Sequence, residues 1–171
     1  MTDHFHSLMK FISQLSRLSS DSLAEDADFH SIKTEALRIS NDLAQWYPPA
    51  LRNQSNDWRR QVRPRKLTVA ETLEEEAFSS TKSCMFGCVI YLHHILDPLG
   101  HEPRSPEVFE AIREILEIVQ EMPEGHGLEM GHYWGLFMVG ISVFNDDATE
   151  ELLRRKLKSD TRSMSIYVST S

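Results

Sequence analysis

The residues best suited to chemistry are few, and each resolves into something simpler. Cys84 and Cys88 lie four apart in the apolar run CMFGCVIYLHHIL. That spacing puts both thiols on one face of a helix, whereas zinc sites use the tighter C-x-x-C spacing together with further ligands. They read as buried free thiols that pack as small apolar groups. His93 and His94 are adjacent, so on a helix they point about 100° apart and cannot share one centre. One is expected to face the core with its nitrogen satisfied and the other to face solvent. Glu129-x-x-His132 is half of a carboxylate-bridged di-metal motif, but no second copy exists. His4-x-His6 is at most a weak chelating pair. Nucleophile elbows, phosphate-binding glycine loops, H-E-x-x-H and calcium loops do not occur. No catalytic, cofactor-binding or metal-ligating residue is therefore assigned, no cofactor is implied, and the chain does not read as an enzyme.

The elements that would carry these residues have a helical period. Phe5, Leu8, Ile12, Leu15 and Leu18 make one face of a helix over 4–18, which the Ser-rich SRLSSDS should end. Residues 28–46 align Phe29, Ile32, Ala36, Ile39 and Leu43, and Pro48-Pro49 stops them. Residues 49–69 carry few large apolar groups and read as a loop or boundary. A stretch over 69–96 follows, either one long helix or two, and its second part is apolar on nearly every side, as in a helix surrounded by others. Ser105-Pro106-Glu107 starts the next helix, with Val108, Ile112, Ile115, Val119 and Met122 inward. Residues 129–144 are again apolar all round and hold Gly131, Gly135 and Gly140, whose cost of about 1 kcal/mol each needs a closely approaching neighbour. Asn145 caps a last amphipathic stretch ending in RRKLK, cations at its C-terminal end.

Together these predict an all-α bundle of about six helices with short links and no sheet. Residues 1–70 would form N-terminal helices and a basic linker, and 71–171 a helical core. Ile90, Leu92, Trp134, Phe137 and Ile141 are expected deep inside. Met85, Val89, Leu92, Trp134, Phe137 and Met138 are candidates to line an apolar pocket.

The chain has 171 residues, 40% of them apolar and 26% charged, enough for one domain with a real core. Its two cysteines cannot build a disulfide scaffold, no apolar stretch is long enough to span a membrane, and the N-terminus lacks a secretory pattern. An acidic, intracellular, soluble protein is the expectation. The net charge of −8 disfavours a self-sufficient nucleic-acid binder. Against that background Arg59, Arg60, Arg63, Arg65 and Lys66 stand out, either as a nuclear-import patch or as a salt-bridging loop.

The order of these segments resembles a known family. Ile90-Tyr91-Leu92-His93, then the amphipathic stretch 106–121, then Trp134-Gly135-Leu136-Phe137 with Gly140, then Asn145 to Lys158, are similar to the fungal-specific transcription factor domain of binuclear-zinc-cluster regulators. The resemblance implies a non-catalytic regulatory domain in the nucleus. It would act through protein partners of the transcription machinery, through self-association or through a small-molecule effector. The six-cysteine DNA-binding cluster of such regulators is missing from these residues, so sequence-specific DNA binding by this chain is not expected. A helical small-molecule or lipid-binding module with an apolar pocket is the alternative. Met164, Ile166 and Tyr167 could begin one more amphipathic helix. Without it, an apolar patch is expected near 131–144.

Overall fold

The computed structural model describes residues 2–46, 68–98, 104–122, 130–142, 151 and 154–155. Among these residues are five helices and no strand: α1 (Thr2–Ser22), α2 (Phe29–Trp46), α3 (Val69–Leu96), α4 (Pro106–Glu121) and α5 (Met130–Ser142). The all-α expectation holds. Residues 151, 154 and 155 are also helical, with Arg155 Nε 3.4 Å from Glu151 Oε1, and the rest of the expected sixth helix lies outside the described residues.

Start signals act as their chemistry requires. Thr68 opens α3 with a reciprocal capping box: the Glu71 amide donates to Thr68 Oγ1, and the Thr68 amide donates to Glu71 Oε2 at 2.9 Å. Ser105 caps α4 ahead of Pro106, accepting from the Val108 amide. The helix-terminal amide and the Ser105 hydroxyl hold the Glu107 carboxyl below its ordinary range. Asp28 Oδ1 accepts from the His30 amide at the start of α2. At α1 the expected stop fails. The helix runs through the serines to Ser22, whose hydroxyl donates back to the Ser19 carbonyl. Serine competes with the backbone without breaking the helix, and buried Leu18 anchors this turn.

α3 is one continuous helix of 28 residues and the axis of the molecule. One apolar cluster joins Leu8, Phe11, Leu15 and Leu18 of α1 to Ile32, Ala36, Ile39 and Leu43 of α2 and to Cys84, Met85, Cys88 and Ile95 of α3. A second joins Ile90 of α3 to Val108, Ala111, Ile112, Ile115 and Val119 of α4 and Leu136, Met138 and Val139 of α5. Trp134 packs against both clusters, edge-on to Tyr91 with ring centroids 5.6 Å apart. A helix covered on two sides must be apolar on both, which is why its sequence shows no single face. Phe29, expected on the buried face of α2, is its first residue and lies past the covered stripe, exposed.

The expected core needs correction. Ile90 is fully buried, but Leu92 and Trp134 are only half-buried, and Phe137 and Ile141 are 61% and 39% exposed. α5 is apolar on every side, so hydrophobicity cannot choose its inward face. The glycines choose it. A Cβ on Gly131 would lie 2.2 Å from the Ser80 carbonyl oxygen, and one on Gly135 would lie 2.2 Å from Ser83 Oγ. The two helices therefore meet along the glycine side, which leaves Phe137 and Ile141 opposite. The expected close neighbour for these glycines is thus α3, and Gly87 in turn receives the Trp134 indole.

Gly131→Ala should destabilise the fold by about 1–3 kcal/mol in urea unfolding despite alanine's better helix propensity, because the obstructing atom is backbone. Phe137→Ala should cost less than about 1 kcal/mol in the same assay, as for other exposed positions.

Candidate functional site

The closeness of α3 and α5 forces polar groups into contact. Ser79 Oγ donates to the Glu76 carbonyl at 3.0 Å and also lies 3.0 Å from His132 Nε2. Which of the two donates on this contact is set by the imidazole tautomer. His132 is completely buried and the Gly131 amide donates to Ser80 Oγ, so the N-terminal turn of α5 is tied to α3 by side-chain oxygens. Ser83 Oγ fills the notch over Gly135 and has no hydrogen-bond partner.

α4 is joined to α3 by charge. Lys82 Nζ is 2.7 Å from Glu114 Oε2, with the two side chains only 8% and 15% exposed. The ammonium also lies 5.9 Å from the Phe86 ring centroid. Such a pair costs desolvation of both ions, so it contributes more to fixing which faces meet than to net stability. At the far end, His94 Nε2 lies 2.9 Å from Ser142 Oγ, and the Arg104 guanidinium donates to the Ser142 carbonyl. Burial, then the neighbouring His93, then Arg104 lower the pKa of His94.

The sequence-derived candidates separate. Cys84 and Cys88 are buried free thiols, as expected. A hydrogen bond with Cys84 first, and then burial, push the Cys88 thiol well above its usual range. His93 and His94 are both half-buried, so the expected core-and-solvent split is replaced by one histidine bonded to Ser142 and its neighbour at a ring distance of 6.5 Å. His132 is part of the α3–α5 contact; Glu129, the side chain of His4 and the basic run from Arg59 to Lys66 lie outside the described residues. Among the described residues no three His, Cys, Asp or Glu side chains come together as a metal site. The proposed pocket lining is brought together only in part: Met85, Val89, Leu92 and Trp134 share the first cluster, Met138 belongs to the second, and Phe137 faces outward. The residues missed by sequence reasoning are Lys82, Glu114, Ser79 and Ser83. Lys82 is the lone Lys or Arg between residues 67 and 103, and a solitary cation bordering the all-round apolar part of a helix is the signal for a buried pair.

Two features face outward. Met130, Phe137 and Ile141, with half-buried Trp134 between, follow one another at spacings of four, three and four along α5. This is the apolar patch expected near 131–144, and its spacing is that of a two-stranded helical seam. Beside the start of α4, Arg104, Pro106, Phe109, Glu110 and Arg113 line a shallow depression of about 620 Å³. No helix among the described residues is long and apolar enough to cross a membrane.

The two serine–histidine pairs, Ser79 with His132 and Ser142 with His94, both lie at the contact between α3 and α5, where among the described residues they tie one helix to the other. A family model described as the fungal specific transcription factor domain matches residues 4–168. The chain belongs to that family. The match spans all five helices, so the fungal transcription factor domain includes the α1–α2 hairpin as well as the stretch from Ile90 to Lys158 that carries the resemblance. Its role is regulatory, in transcription, and the family is in general non-enzymatic. No curated protein and no solved structure matches the chain.

Removing one ion of the α3–α4 pair leaves the other uncompensated, so Lys82→Ala should cost about 3–5 kcal/mol, whereas Lys82→Met with Glu114→Leu should recover most of it. Both are read by chemical denaturation. The lowered pKa of His94 also sets a sign. Between its folded value and the ordinary 6.5 the unfolded chain binds more protons, so stability rises with pH across that window and is lost as pH falls through it. Thermal melts from pH 5 to 8 should show this slope, and His94→Gln should flatten it.

Proposed function

We propose that this domain regulates transcription in the nucleus through protein contact, with the outer face of α5 as the docking surface for a partner helix. The observation that carries this reading is the exposed stripe of Met130, Phe137 and Ile141 on a helix without a single Asp, Glu, Lys or Arg. Its four-three-four spacing suits a helix laid alongside, read through anchors one turn apart. A second copy is a poor occupant, because each chain carries a net charge of −8 and the residues from 101 onward account for −6 of it. The occupant is instead a segment of the transcription machinery with an apolar seam flanked by basic residues. In this reading residues 1–70 supply two helices and a basic linker that pack onto the core formed by 71–171. The chain does not itself read a DNA sequence, since its acidic balance opposes phosphate contact.

Phe137→Asp with Ile141→Asp tests this. The double variant should keep wild-type circular dichroism and thermal stability, remain nuclear when fluorescently tagged, and lose most reporter regulation in a fungal host. Unchanged regulation would overturn the docking reading. A wild-type chain that sediments as a dimer at micromolar concentration, converted to monomer by the variant, would overturn the choice of occupant. Nanomolar binding of the isolated chain to a defined duplex at physiological salt would overturn the statement on DNA.

A further inference from the structure

The buried thiols are nucleophilic groups that the regulatory reading leaves unused. Cys84 and Cys88 are the only cysteines in the chain, and both are enclosed in the cluster formed by α1, α2 and α3. We propose that Cys84 and Cys88 form a helix-held dithiol site for trivalent arsenicals, bridged by one arsenic atom.

Three exclusions lead to that ligand. Residues four apart on a helix have Cβ atoms about 5–6 Å apart, whereas a disulfide needs about 3.8 Å. The helix must distort to oxidise, but an inserted atom with two sulfur bonds of about 2.3 Å, the length of a zinc–sulfur bond, spans the gap. Zinc is excluded next. It needs four ligands, and no third or fourth His, Cys, Asp or Glu joins the pair among the described residues. The apolar surroundings also oppose a bound dication, because a buried charge requires compensation. A trivalent arsenical satisfies both limits, since it takes two thiols and the product is uncharged.

The surroundings suit the product. The hydrogen bond with Cys84 and burial hold the Cys88 thiol protonated, so this sulfur starts neutral and the product is neutral. The Trp134 side chain packs on the same cluster, and its buried indole N–H acts on the Cys88 thiol. It is a donor beside the sulfur that the ligand would engage. With phenylarsine oxide as the probe, both S–H bonds break and two S–As bonds form. The two protons leave with the arsenic-bound oxygen as one water. Arsenic stays trivalent, and no oxidant or reductant takes part. Entry requires the α1–α2 hairpin to lift from α3, because the thiols lie beneath it. Occupancy is therefore coupled to the position of that hairpin. The proposal is independent of the α5 docking surface.

The test uses the full chain, folded, with one equivalent of phenylarsine oxide. Intact-mass spectrometry should find a single adduct equal to one probe less one water, reversed by excess 2,3-dimercaptopropanol. Helical circular dichroism should be retained, while tryptophan fluorescence changes, because Trp46 and Trp134 both pack on the same cluster. Cys84→Ala and Cys88→Ala should each abolish the adduct. The pre-formed helix should bind at least about tenfold tighter than the same chain in urea, where the spacing is no longer held. Should a variant fail to fold, the comparison of native and urea-unfolded wild type decides alone. No adduct on the folded chain, equal affinity in urea, or an adduct that appears only with loss of helix would overturn the proposal.

Discussion

The organisation of this domain depends on how closely the backbones of α3 and α5 approach. Gly131 and Gly135 present no side chain where they face Ser80 and Ser83, and any Cβ there would collide. Contact at that range lets small side chains and backbone atoms pack directly, and dispersion attraction falls off steeply with any gap. Once α5 is seated this way, its opposite face has nowhere to go but outward. The buried core and the exposed stripe are thus two results of one constraint.

Polar groups refine what packing begins. The hydroxyls of Ser79 and Ser80 meet His132 and the Gly131 amide, and Lys82 reaches Glu114 across α4. A slip of α5 by one residue would leave His132 unbonded in an apolar core, at a cost that greasy packing alone would not impose. The buried ion pair acts on α4 in the same way. Two helices nearly uniform in hydrophobicity are held in one register by a handful of heteroatoms.

Because α3 is enclosed on two sides, it links the α1–α2 hairpin to the α4–α5 pair, and Trp134 touches both clusters. Its indole lies over Gly87 and against Tyr91, so a displacement on either side of α3 has a path to the other. For a regulatory domain, this connection between two packed halves is the property that matters.

Much of this was legible in the residues themselves. Periodicity located all five helices; Ser105-Pro106 marked the start of α4; and Gly131 and Gly135 announced a close helix contact. The order of weak motifs pointed to the family that the match over residues 4–168 establishes. The sequence did not disclose which side of α5 points inward, so Phe137 and Ile141 read as core and emerged at the surface. Nor did it reveal that Lys82 pairs with Glu114 or that His132 meets Ser79, partners separated by 32 and 53 residues. Helix formation follows from local spacing and local hydrogen bonds, which a sequence carries in full. The choice of face on a helix that is apolar all round follows from contact with a distant neighbour, and only the folded chain supplies that neighbour.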